Sequence, residues 1–134
     1  MQAYFTFNGN CREAMTFYKK CLGGKLTLQT VTRVKENETI HPLVKNVVAH
    51  ACLKTKFFVL QGTDLMEEQP LQKGNNVSLI LECGSKAEMK KYFTKLSHNG
   101  KRNLEPMVTD HGVLLAGLTD QFGMQWLLNF RESN

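Results

Sequence analysis

Apolar residues recur along this chain with two periods, and the switches between them fall at glycines. Ala14, Phe17, Tyr18 and Cys21 stand at spacings of 0, 3, 4 and 7. Met89, Tyr92, Phe93 and Leu96 repeat those spacings, with both aromatics at the same two places. Each set is one stripe of a 3.6-residue period, so the pattern predicts two amphipathic helices. Lys19, Lys20, Lys90 and Lys91 fall outside the stripes, on the solvent side. Asn10 and Ser85 precede the helices as N-caps whose side chains can accept a first-turn amide. Glu13 and Glu88 follow three residues later, where a carboxylate can reach back to the cap's own amide. Gly23-Gly24 and Asn99-Gly100 end the two helices.

Elsewhere the period drops to two. Strands are expected over 26–34, 47–53 and 57–61, the last two as a hairpin, with a polar loop containing Pro42 over 36–45. In the second half a strand is expected over 76–82, a weak strand or loop over 101–106, and closing strands over 113–118 and 124–130. Shifting 5–24 by 75 positions lays Gly9 on Gly84, Asn10 on Ser85 and Glu13 on Glu88. Cap, stripe and terminator repeat together, which indicates a duplicated βαβββ unit. Module one takes up about 1–62, a polar linker with Pro70 about 63–75, and module two about 76–134. The fold class is α+β.

Composition narrows the function classes. The chain has 134 residues, 42% apolar and 22% charged, enough for a core and unlike a disordered segment. There is no apolar run long enough to span a membrane and no signal peptide pattern at the N-terminus, so no membrane partner and a cytoplasmic location are expected. Cys11, Cys21, Cys52 and Cys83 show no CxxC pairing and read as mostly buried thiols. The net charge of +5 is spread without a basic stripe among exposed aromatics, so no nucleic-acid partner is expected.

The order YFTFNGNCREAMTFYKKCLGGKL, VVAHACLK, NNVSLILECGSKAEM and LTDQFGMQWLLNF resembles the PhnB-like branch of the vicinal oxygen chelate superfamily over nearly the whole chain. This is the fold of glyoxalases, bleomycin-resistance proteins and extradiol dioxygenases. The resemblance implies a single domain over 1–134, with two βαβββ modules forming a curved half-open barrel around a cavity. It also implies a homodimer whose site can include residues of both subunits. It names no reaction, since fold does not fix function and the branch is mostly of unassigned activity.

In metal-dependent members, four His, Glu or Gln side chains from the first and last strands of each module bind one divalent ion. By the resemblance these positions fall on Ala3, Gln61, Leu127 and Asn76, or on Ser78 in place of Asn76 under the internal shift. Alanine and leucine cannot ligate, and the others are weak donors, so no metal and no other cofactor is expected. A displaced divalent-metal site remains as an alternative. His50 and Cys52 share a strand face and could hold a soft ion, and His50 is the one candidate general base. The plainer reading of the pair is a half-buried imidazole beside a packed thiol. His111 sits in a turn before the penultimate strand, His41 and His98 in loops, and Glu67-Glu68 in the linker.

Alternation supplies an expected lining. Val77, Leu79 and Leu81 would lie under helix, leaving Asn76, Ser78 and Ile80 toward the cavity. Trp126, Leu128 and Phe130 would be core, leaving Gln125, Leu127 and Asn129 inward. By analogy with the family, Ala3, Phe5 and Phe7 also face inward. The sum is an apolar pocket with a few amides, suited to a small, partly apolar organic ligand. No Ser-His-Asp set, GxGxxG, P-loop or carboxylate pair stands out. Three readings follow. The first is a metal-free small-molecule-binding protein. The second is a lyase, isomerase or dioxygenase using His50 and Cys52. The third is a dimeric scaffold whose cavity is filled by Phe5, Phe7 and Leu127.

Overall fold

The computed structural model describes residues 2–30, 47–65 and 71–131. The chain divides into two compact units, Met1–Gln72 and Lys73–Asn134.

Unit one runs β1 (Ala3–Thr6), α1 (Cys11–Leu22), β2 (Lys25–Thr30), β3 (Val48–Lys54) and β4 (Val59–Thr63). Its sheet is open, in the order β1-β4-β3-β2, with β1 and β4 parallel and the other pairs antiparallel. Helix α1 lies over β2, β3 and β4. Its buried side is Cys11, Ala14, Met15, Tyr18, Cys21 and Leu22, while Phe17 is half-buried with its ring edge-on to Tyr18. Leu53 and Leu60 come up from the sheet fully buried, each such leucine contributing about 1.5–3 kcal/mol.

The start of α1 is held differently from the sequence expectation. Asn10 makes no side-chain cap. The acceptor is Asp64, just past β4, whose Oδ1 takes the Cys11 amide at 2.9 Å and whose Oδ2 takes the Val48 amide at 2.9 Å. The Asp64 amide in turn donates to the Val48 carbonyl at 2.8 Å. A single carboxylate thus joins the helix start, the start of β3 and the end of β4. Unit one therefore extends past the expected boundary near 62. The helix approaches β4 closely at Gly62, where a Cβ would meet Phe7 Cε2 at 3.1 Å, Cys11 Sγ at 3.2 Å and Met15 Sδ at 3.3 Å.

Unit two repeats the plan: β5 (Leu79–Glu82), α2 (Lys86–Leu96), β6 (Lys101–Val108), β7 (Val113–Thr119) and β8 (Gln125–Arg131), in sheet order β5-β8-β7-β6. Here the cap is the expected one, with Ser85 Oγ accepting the Glu88 amide at 3.0 Å. The Glu88 carboxylate reaches back to the Gly84 amide at 3.2 Å, one residue earlier than the box pattern implies. Met89, Tyr92, Phe93 and Leu96 are all buried. The β7–β8 turn is built on Asp120, which is 3% exposed. Its carboxylate accepts the amides of Phe122 and Met124 and the indole N–H of Trp126, at 2.8, 3.1 and 2.8 Å. Gly123 closes the turn at φ +89, where a side chain would be strained.

The backbone makes the two units equivalent. Phe7 donates to the Thr63 carbonyl as Cys83 donates to the Asn129 carbonyl, each at 2.8 Å. It follows that Phe7 matches Cys83, and Gly62 matches Leu128. Volume is exchanged between the two positions: a large side chain beside glycine in one unit, a small one beside leucine in the other.

Two further expectations are corrected. β5 starts at Leu79, so Asn76, Val77 and Ser78 precede the strand, and Val77 is 74% exposed rather than under helix. The weak stretch after α2 is a full eight-residue strand. Pro106 is tolerated there because β6 is an edge strand and its register shifts between Leu104 and Met107. The strand expected over 26–34 is seen as far as Thr30. Its remainder, the 36–45 loop with His41, Glu67-Glu68 and Pro70 lie outside the described residues.

Replacing Asp64 with alanine orphans two buried amides, and a loss of about 2–4 kcal/mol is expected. Asp64→Asn, which keeps one acceptor oxygen, loses less. Chemical denaturation of the three proteins checks the order. Burial, with the nearby Asp64 charge second, pushes the Cys11 thiol from 9.0 up to about 12. Below pH 9 the thiol is protonated whether the chain is folded or not. Above it the unfolded chain sheds a proton that the folded chain keeps, so stability falls by up to about 1.4 kcal/mol per pH unit until the folded thiol also titrates. Cys11→Ala should show a shallower alkaline decline than the parent in denaturation curves taken from pH 9 upward.

Candidate functional site

Each sheet has one face under its helix and an opposite face away from the helix, termed the open face. Alternation and register assign the side chains. In unit one the helix side carries Leu53 and Leu60, with Phe5 joined to it by edge-on contacts to Phe7 and Tyr18, centroids 6.0 Å apart in both cases. Phe5 and Phe7 therefore lie on the helix side, Phe5 half-buried and Phe7 only 2% exposed. Ala3 pairs with Leu60 and shares that side by alternation. The expected inward placing of these three is reversed. The residues between them, Tyr4 and Thr6, take the open face, beside Gln61 and Thr63.

His50 and Cys52 do share the open face, two residues apart on β3, with Gln61 opposite Cys52 on β4. The His50 Nε2 donates to Gln61 Oε1 at 2.8 Å. Gln61 Nε2 donates onward to Gln2 Oε1. With Gln61 Oε1 as the acceptor, Nε2 carries the hydrogen, and in the neutral ring Nδ1 holds the lone pair. Tyr4, 56% exposed, lies with its ring centroid 6.5 Å from that of His50. Gln2 and Tyr4 were not singled out from sequence. Tyr4 becomes legible once Phe5 and Phe7 are assigned to the helix side, because its parity is then fixed.

In unit two Phe130, expected in the core with Trp126 and Leu128, is half-buried. Trp126 and Leu128 are buried, while Gln125, Leu127 and Asn129 alternate onto the open face. Gln125 Oε1 accepts the Thr119 hydroxyl at 3.0 Å, and Asn103 Nδ2 donates to that hydroxyl at 2.9 Å. Asn103 was missed because its strand read as weak. Ile80 pairs with Leu127 on this face and is 56% exposed. Asn76, Ser78 and His111 are exposed, the first two ahead of β5 and His111 in the turn before β7. His98 is exposed beyond the end of α2.

Superposing the registers sharpens the contrast. Tyr4, His50, Cys52 and Gln61 correspond to Ile80, Leu115, Gly117 and Leu127. One fold position after another is polar in unit one and apolar in unit two. The strand positions next to Gln61 and Leu127 are Tyr4 and Ile80, while Ala3 and its counterpart Leu79 lie on the helix side. In neither unit do these residues make a donor pair of the His/Glu kind, and Gln61 Oε1 already accepts from His50. Among the described residues no three His, Cys, Asp or Glu side chains gather as an ion would need. The superfamily's usual divalent centre does not fit this donor set.

Gln61→Leu, which gives unit one the residue that unit two carries, should release His50 Nε2 and mix the ring tautomers. It should alter stability by less than about 1 kcal/mol. Two-bond proton–nitrogen correlation spectra of the imidazole read the tautomer directly. A single Nε2–H form in the parent and a mixture in the variant is the expected result.

The chain matches, over residues 1–129, the family described as 3-demethylubiquinone-9 3-methyltransferase. Its fold is similar to that of protein PA1353 from Pseudomonas aeruginosa, with a TM-score of 0.80 and 28% identity over 99% of this chain and 98% of that one. It is also similar to a putative 3-demethylubiquinone-9 3-methyltransferase, PhnB protein, from Bacillus cereus, with TM-score 0.74 and 21% identity over 97% and 98%. A glyoxalase/bleomycin resistance protein from Albidiferax ferrireducens T118 shares the fold at TM-score 0.66 and 17% identity, over 98% and 97%. The chain belongs to the 3-demethylubiquinone-9 3-methyltransferase family, in the PhnB-like branch of the glyoxalase/bleomycin-resistance fold.

Proposed function

We propose that this protein binds a small, partly apolar organic molecule on the open face of the unit-one sheet, without the superfamily's divalent metal. The observation that carries the reading is the open face of unit one, where the His50–Gln61–Gln2 hydrogen-bonded chain lies with the Tyr4 ring beside it. It sets directional polar groups next to aromatic surface, a combination suited to a partly apolar ligand. The family's description names a quinone-type compound, which has this character. The role assigned to His50 is orientation: Nδ1 accepts a ligand hydroxyl or amide hydrogen while Nε2 is held by Gln61.

The test is a thermal-shift screen of quinones, phenols and other flat amphipathic compounds, coupled to metal analysis of protein purified without chelator. A ligand at a hundred times its Kd adds about 2.7 kcal/mol of apparent stability. Saturable stabilisation is expected, weakened in His50→Ala, together with metal well below one ion per chain. One tightly held ion per chain that is lost in His50→Ala would instead establish a metal centre and overturn the reading.

A further inference from the structure

We propose a second ligand site, on the helix side of unit two, that takes a small organic anion with an apolar body. Helix α2 lies over β7 and β8 and leaves the edge strand β6 beyond it, so a groove remains between α2 and β6. The groove has a volume of about 360 Å³, within the roughly 300–1,000 Å³ usual for small-molecule sites. Its floor is apolar: Met89 and Phe93 from the buried stripe of α2, Pro106 from β6 and Leu114 from β7. Its rim is cationic. Lys86 and Lys90 stand one turn apart on α2, and Arg102 faces them from β6.

Arg102 is already placed for the task. Its guanidinium stacks 4.7 Å above the Phe93 ring, and its Nε donates to Ser97 Oγ at 3.3 Å. A fork held in this way presents its remaining N–H groups at little further entropy cost. The opposing charge is Glu105, paired with Arg102 Nη1 at 3.7 Å with its side chain 69% exposed. An exposed pair of that kind is worth only about 0–1 kcal/mol, so a bound anion can displace it. Three cations against one carboxylate above an apolar floor select a carboxylate or sulfonate on a hydrocarbon or aromatic body. They disfavour a neutral compound of the same shape. The groove lies wholly within unit two and uses none of the open-face residues of the proposed function.

The experiment titrates naphthalene-2-sulfonate, and its neutral sulfonamide counterpart, into the full chain at low salt while amide resonances are followed by NMR. The sulfonate should give saturable shifts grouped on residues 86–94 and 102–106. The sulfonamide should bind about tenfold more weakly, and the Lys86→Glu/Lys90→Glu variant should lose affinity for the sulfonate by a similar factor. His50→Ala should bind it as the parent does. Four outcomes would overturn the site: no saturable binding, equal binding of the neutral compound, shifts confined to Tyr4, His50, Gln61 and Leu127, or the same amides shifting with protein concentration alone. The last would make the groove a contact between copies of the chain.

Discussion

The buried carboxylate of Asp64 is the constraint on which unit one depends. The helix has a good cap residue in Asn10, yet its first amide goes to a side chain fifty-three residues away. The same carboxylate holds the amide that begins β3. Because the group is 7% exposed, neither amide can turn to water if it is lost. Helix, central strand and closing strand are therefore positioned by one ion, and the open-face residues of β3 and β4 inherit their register from it. Among the described residues of unit two no carboxylate takes this role. That unit caps α2 locally through Ser85 and spends its buried aspartate, Asp120, on the turn that aims Trp126 into the core.

Much of the architecture was legible in the sequence because it rests on period and spacing. The paired stripes located both helices, and alternation in LTDQFGMQWLLNF sorted Trp126 and Leu128 from Gln125 and Leu127. What the sequence hid were contacts between distant positions. Nothing near Asn10 signals that Asp64 will displace it, and Asp64 reads as a polar loop residue. Asp120 was more accessible, since an aspartate three residues before a glycine is a turn signal. The misplaced Phe5 and Phe7 show a different limit. The family analogy set the strand's parity, and one residue of offset sends every side chain to the opposite face. The same analogy put one supposed ligand position on Ala3, which lies on the helix side, and another on Asn76 or Ser78, which precede β5.

His50 and Gln61 gain their meaning from that corrected parity. On β3 and β4 they lie side by side on the face away from α1, where Gln61 hydrogen-bonds the imidazole and Tyr4 flanks it. In the second unit the same backbone positions carry Leu115 and Leu127. The contrast is local to these positions, since unit two carries its own hydrogen-bonded polar group, Asn103, Thr119 and Gln125, elsewhere on the same face. Each half keeps its own core under its own helix, so the two faces can differ without disturbing either core.

The exchange of volume between Phe7 and Gly62 on one side and Cys83 and Leu128 on the other has a further consequence, in evolutionary terms. If the halves descend from one ancestral unit, the route back to identical halves is closed to single substitutions. Adding a side chain at Gly62 first requires Phe7, Cys11 and Met15 to give way, and trimming Phe7 first leaves a void. The two positions are epistatic: each residue is acceptable only in the presence of the other. That coupling acts as a ratchet. It leaves the open faces free to diverge while the cores beneath them can no longer be interchanged.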